Sequence, residues 1–159
     1  MPTRNLEDDD HLLRHVPRKH LAEDPATGAL TLFAEAFRPR QGETSLSAAW
    51  IEFHRDEPDP AASAMDDLGA TRQIKPKDRF ATGSVSAVRQ AFQAEGVKPR
   101  IVHDGEGYPS HAAVRQIDRA PDTAYERLAM DAWASLSTPT DDCILLSGVK
   151  AGARRARSE

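Results

Sequence analysis

Residues 103–111, HDGEGYPSH, hold the densest set of reactive side-chain types in this 159-residue chain. His103, Asp104, Glu106, Tyr108, Ser110 and His111 all fall in this short stretch. A carboxylate beside a histidine can fix its tautomer and make it a general base. Gly105 and Gly107 allow a tight, exposed loop. Loops at strand ends often carry chemistry on a rigid scaffold. His103, Asp104 and His111 are therefore the catalytic candidates, in a small hydrolase or nuclease-like enzyme acting on an anionic substrate. The structural alternative is a polar turn between two strands. A second set is AFRPRQGETSLS, residues 36–47. Arg38 and Arg40 flank Pro39, Glu43 follows, and Arg14 and Arg18 lie upstream. Planar guanidinium forks suit phosphate or carboxylate, so Arg14, Arg38 and Arg40 are the anion-binding candidates. Ion pairs with Glu43 or nearby aspartates are the competing explanation.

Other motifs carry less. The His103–Asp104 dipeptide is similar to that of the metal-dependent phosphohydrolases of the HD type, but the further His and Asp residues those enzymes place on helices do not follow it. His11 and His15 are four apart, as in helical metal sites, yet H-L-L-R-H lacks the glutamate of H-E-x-x-H. No metal or cofactor is expected. No phosphate-binding glycine loop or G-x-S-x-G elbow occurs. Ser84 in GSVSA is better suited to capping a helix than to nucleophilic attack. Cys143 follows Asp141 and Asp142, whose charges disfavour a thiolate, and it opens the apolar run CILLSGV; it reads as a buried structural thiol.

Composition bounds the class. The chain is 39% hydrophobic and 29% charged, with net charge −4. No apolar run approaches the ~18–20 residues that span a bilayer. One Cys excludes a disulfide scaffold and points to the cytoplasm. The mild acidic balance does not mark a nucleic-acid binder, although the tail KAGARRARSE, with Lys150, Arg154, Arg155 and Arg157, offers a small cationic contact. With 25 Ala and 6% aromatic residues the expected core is modest. A partner protein or a second copy could complete it, over an exposed Trp50 or Trp133.

The elements that must position these residues follow from pattern. Residues 1–10 read as a flexible acidic arm, 11–149 as one domain and 150–159 as a basic disordered tail. HLLRHV (11–16) is a strand or one helical turn; DPATG (24–28) is a turn. Residues 29–37 fit a strand or a helix, and 45–54 a strand. Residues 55–64 are the best linker candidate, with Asp59 and Pro60 starting a short helix that ends at Gly69. Residues 70–82 read as an irregular connection. Ser84 caps a helix to Gly96 with Val85, Val88, Ala91 and Phe92 on one face. Residues 100–103 form a strand. Thr123 and Glu126 suggest a capping box on a helix over 123–137. Residues 143–149 read as a buried strand. Strands and helices do not alternate regularly, so the fold class is α+β, with a small, mostly antiparallel sheet and two to three helices.

LLRHVP (12–17), AFRPR…SLS (36–47) and YPSHAAV (108–114) together resemble a diffuse class of small bacterial proteins. In that class R-x-V-P, a central F-x-x-x…LS segment and a late P-x-H-A recur in order. The resemblance spans residues 12–114. It implies no activity and places Arg14, Phe37, Ser47 and His111 in one shared framework. These readings make the chain a small cytoplasmic interaction module or accessory subunit, with the enzyme and the nucleic-acid-contacting protein as alternatives.

Overall fold

The structure, a computed structural model, describes residues 3–40, 42–133 and 135–137. The strands are β1 Arg4–Asn5, β2 His11–Val16, β3 Leu21–Glu23, β4 Leu30–Leu32, β5 Leu46–Trp50, β6 Arg79–Ser84, β7 Arg100–His103, β8 His111–Arg115 and β9 Ser135–Ser137. The helices are α1 Pro60–Thr71, α2 Val85–Gln93 and α3 Asp122–Arg127. Seven strands form one antiparallel sheet in the order β1-β7-β8-β5-β2-β6-β9, and β3 pairs with β4 in a separate hairpin. This is the α+β class expected from the sequence.

Alternation along the strands supplies two apolar faces, and helices cover both. On one face Leu12, Val16, Leu46, Ala48, Ala81 and Val114 pack under α2 and α3. On the other, Leu13, Ala49 and Phe80 pack with Ala64, Met65 and Leu68 of α1. The alanine-rich centre buries little area per residue, so the helices and loops bring the bulk: Phe92, Tyr125, Phe37 and Trp133 are buried. Phe37 and Trp133 stack at 4.9 Å, and the Trp133 indole donates to the Leu12 carbonyl at 3.3 Å. Gly83 permits this approach, since a Cβ there would overlap the Ala132 carbonyl oxygen and press on Trp133.

Caps mark two helix starts as the sequence implies. The Asp59 carboxylate accepts from the Ala62 amide and the Ser84 hydroxyl from the Ala87 amide. Val85, Val88, Ala91 and Phe92 are all buried, and Gly96 takes φ +76° just beyond α2.

Other expectations are corrected. Residues 70–82 are not wholly irregular: β6 starts at Arg79 and pairs with every residue of β2. Thr82 and Gly83 obscured its alternation. The 55–64 stretch is no boundary, because α1 begins inside it and runs to Thr71, past Gly69. Residues 29–37 divide into β4 and a 3-10 turn over Ala34–Phe37. The helix expected over 123–137 ends early: α3 passes into a π turn over Leu128–Ala132, and β9 follows. Its capping box does not form, since the Thr123 hydroxyl bonds to the Glu95 carboxylate instead. The acidic N-terminal stretch is built in from Arg4 onward. β1 pairs with β7, Leu6 is buried, and the buried Asp10 accepts from the Trp50 indole at 2.9 Å. No helix among the described residues is long and apolar enough to cross a membrane. The expected strand at 143–149, Cys143 and the basic tail lie outside the described residues.

Candidate functional site: a cationic cavity at a split in the sheet

The sheet opens near its middle. β2 and β5 pair only at Leu12–Trp50 and Leu13–Ala49. Continuing the ladder would set Arg14 opposite Ala48, but the two strands part there. Side chains satisfy the carbonyls this frees. Arg14 Nη1 donates to the Ser47 carbonyl at 2.5 Å and the Tyr108 hydroxyl donates to the Ala48 carbonyl at 3.2 Å. Arg14 Nε also donates to the Ala36 carbonyl at 2.7 Å, tying the 3-10 turn to the gap. A guanidinium carries five N–H donors, so Arg14 is fixed by two bonds with donors to spare. Arg14 thus ties the Ala34–Phe37 turn and Ser47 together, whereas His111, the fourth residue of the shared framework, bonds to Asp104 in the 103–111 hairpin.

A cavity of about 720 Å³ lies over this gap. Its cationic wall is Arg14, Lys19, Arg38, Arg40 and Arg72. His15 and His20 also border it, with Glu35 and Glu43 as the acids. Four elements converge here: the end of β2 with its following turn, the Ala34–Phe37 turn with the loop after it, the start of β5, and the residue that ends α1. Arg72 is the cavity residue that sequence spacing missed. It caps the C-terminus of α1, and nothing around it in sequence marks it.

The arginines are not equivalent. Arg38 is neutralised: its Nη1 lies 2.7 Å from Asp122 Oδ1, its Nε lies 3.7 Å from Glu35, and its guanidinium sits over the Tyr125 ring. The Asp122 bond raises its pKa. Arg18 does not line the cavity and pairs with Glu23 at 3.7 Å. Among the described residues no carboxylate lies within ion-pair distance of Arg14, Arg40 or Arg72. Burial and then the charges of Arg72 and Arg40 lower the Arg14 pKa to about 10. Burial lowers that of Arg72, and the Arg40 charge adds to the effect. Arg72 and Arg40 act against the charge of Arg14, and Glu43, the acid that favours it, lies beyond ion-pair distance.

The two histidines differ as well. His15 Nε2 lies 2.8 Å from Asp78 Oδ2, and that buried carboxylate also accepts from the Arg18 and Lys75 amides. Burial lowers the His15 pKa despite Asp78. Burial and then the Lys19 and Arg14 charges lower that of His20. The His20 Nδ1 is buried and makes no hydrogen bond among the described residues.

The 103–111 hairpin brings together two of its three candidates. His111 Nδ1 lies 2.5 Å from Asp104 Oδ1, and Arg115 Nη2 donates to Asp104 Oδ2 at 3.1 Å. Burial raises the Asp104 pKa, but these donors and the Glu106 amide more than offset it and leave it lowered. His103 turns away: its Nε2 donates to the Pro109 carbonyl at 2.7 Å, and its ring packs on Trp50 and Phe53. Ser110 is also engaged, donating to Asp67 at 2.5 Å, and Asp67 holds His54 at 2.8 Å. No residue of 103–111 lines the large cavity, or the smaller one of about 320 Å³ beside Tyr125. His11 and His15 lie on a strand, about 13 Å apart along it. His11 pairs with Glu52 and His15 with Asp78. Among the described residues no group of three or more His, Cys, Asp or Glu side chains is placed to hold a metal ion.

Comparison with protein-family models, curated proteins and solved structures finds no match to this chain.

Proposed function

We propose that this chain is a cytoplasmic binding module whose working surface is the cationic cavity, and that it takes up an anionic ligand there. One observation carries the reading: Arg14, Arg40 and Arg72 share a wall with no carboxylate of the described residues in ion-pair range. Holding like charges together costs free energy that a bound anion returns. Arg14 is already oriented by two backbone acceptors, so little ordering remains for binding. The single Cys agrees with a reducing compartment. An accessory subunit of a larger assembly remains the broader setting, with a protein partner or a second copy beside it. The apolar patch once expected for that contact is not at the tryptophans, as both Trp50 and Trp133 are buried.

The test is thermal unfolding in phosphate against chloride at matched ionic strength. Specific binding raises Tm in phosphate, by about 2.7 kcal/mol of stability at a hundredfold excess over Kd. The Arg40→Gln/Arg72→Gln double variant loses that rise. An equal rise in both proteins would sink the reading.

A second reading has its own observation. The Asp104–His111 pair resembles the base half of a hydrolytic site. Against it stand the turned-away His103 and the engaged Ser110. Loss of a hydrolytic activity in His111→Ala, with the fold intact, would establish it. Nucleic-acid contact through Lys150, Arg154, Arg155 and Arg157 is a third reading, and a steep salt dependence of binding that vanishes on removing residues 150–159 would support it.

A further inference from the structure

The chemistry of the cavity wall narrows the anion to one class. We infer that the ligand is a sugar or polyol carrying two phosphate groups. This rests on the anion-binding reading above and deepens it.

Charge sets the number of phosphates. Arg14, Arg40, Arg72 and Lys19 are four cations without an ion-pair partner among the described residues, and Glu43 is one anion without one. Arg38 and Glu35 already face each other. The excess is therefore three positive charges. One phosphate ester carries about −1.5 to −2 at neutral pH, so two match the wall and one does not. Size agrees. An orthophosphate is comparable in bulk to about two or three waters of ~30 Å³ each, and it would leave most of the 720 Å³ to solvent.

The remaining wall argues for hydroxyl groups and against a nucleobase. None of the nine aromatic residues (two Trp, two Tyr, five Phe) lines the cavity. Its apolar members are Pro17, Ala36, Pro39 and Leu46, which leaves a base only the His15 and His20 imidazoles and the arginine planes to stack on. Glu43 would only repel a bare polyphosphate, yet a carboxylate is a good acceptor for sugar hydroxyls. His20 also borders the cavity, and its buried Nδ1 has no hydrogen-bond partner among the described residues. A buried ring nitrogen left unmatched costs free energy, which a ligand hydroxyl removes.

The test is titration calorimetry on the full chain, with chelator present and ionic strength fixed. The probes are a hexose 1,6-bisphosphate, the matching hexose 6-phosphate, inorganic pyrophosphate and ADP. The inference expects the bisphosphate to bind at least tenfold more tightly than each of the others. It expects Arg72→Gln to weaken the bisphosphate tenfold or more. Glu43→Gln, on an exposed loop residue, discriminates further: it weakens the bisphosphate and tightens pyrophosphate. Equal affinity for mono- and bisphosphate overturns the inference, as does ADP or pyrophosphate binding as tightly as the bisphosphate. An unchanged affinity in Arg72→Gln does so too. If phosphate still raises Tm in an Arg40- and Arg72-dependent way, only the ligand class is wrong. If that rise is missing as well, the binding-module reading falls with it.

Discussion

Two parts of this molecule hold a histidine against a buried aspartate, and they differ in what surrounds the pair. In the 103–111 hairpin, Asp104 accepts from Arg115 and the Glu106 amide as well as facing His111. The buried carboxylate is thus matched by donors on every side the structure describes. At the cavity, Asp78 faces His15 and accepts from two backbone amides. The neighbouring Arg14, Arg40 and Arg72 have no carboxylate in ion-pair range among the described residues. A density of reactive residue types is thus a poor guide to where a ligand is wanted. A closed network stabilises the fold, whereas unmatched charge is relieved by something from outside.

The comparison breaks most directly at Asp104. The Asp104→Ala variant leaves His111 and Arg115 facing a gap where both had an acceptor. Removing one member of a buried charged network costs roughly 2–4 kcal/mol. Urea unfolding should therefore show a large drop in midpoint, and phosphate should still raise Tm as in the parent protein. A near-neutral Asp104→Ala would mean that the hairpin is not the structural network described, and it would revive the catalytic reading.

Next in size is the cavity itself. The Arg40→Glu/Arg72→Glu variant reverses two charges at the wall and should weaken phosphate binding at least tenfold, or about 1.4 kcal/mol. Arg40 is exposed and Arg72 half-buried, so the fold should survive, as far-UV circular dichroism can verify. Retained affinity would place the anion elsewhere and erase the contrast between the two regions.

Much of this contrast was half-visible in the residues. Arg40 was legible from its place beside Pro39 and Gly42, and Arg14 only as a guanidinium upstream that could join it. Arg38 shared that spacing, but Asp122, 84 positions away, neutralises it, and local sequence does not carry that information. Arg72 was illegible for the same reason: it reaches the cavity only because α1 packs on the far sheet face and ends at the gap. The strand–loop–strand pattern at 100–111 was readable, as were the Asp59 and Ser84 caps, since each depends on neighbours within a few positions. β6 and β9 were not, because their partners lie far along the chain and Gly83 interrupts the alternation. The end of α3 was missed since Leu128–Trp133 keeps a helical apolar face through a π turn.

Acid should act in two pH windows, a histidine window at the cavity and a carboxylate window in both regions. His15 and His20 have folded-state pKa values below the ordinary 6.5. The neutral form is favoured in the fold, so their contribution is full above 6.5 and declines as pH falls below it. Asp78 and Asp104 lie below the ordinary 3.8. Their contribution is full above that value and declines as pH falls further. Stability against pH should then show a shallow loss beginning near 6.5 and a second one below 4, each proton contributing at most about 1.4 kcal/mol per pH unit. His20→Gln should remove its share of the first loss, leaving that of His15, and leave the second unchanged. Phosphate should oppose the first one, because an anion beside His20 favours its charged form against Lys19, Arg14 and Arg40. Glu35 already does so weakly. A first loss unaffected by phosphate would separate His20 from the ligand.

The smallest expected effect is the most discriminating. If Arg14, Arg40 and Arg72 are held together for a ligand, removing one charge should stabilise the empty protein. Arg72→Gln keeps a polar side chain of similar length at the end of α1 and relieves the repulsion on Arg14. The gain should be under about 1 kcal/mol, which in a chain of this size is roughly 2–4 °C in Tm per kcal/mol. The same variant should lose its response to phosphate, so its Tm would exceed that of the parent without phosphate and fall below it with phosphate present. Such a crossing is the expected mark of a site that gives up stability for function. An arginine serving only to hold the sheet gap would give the opposite sign, a loss of stability in both buffers.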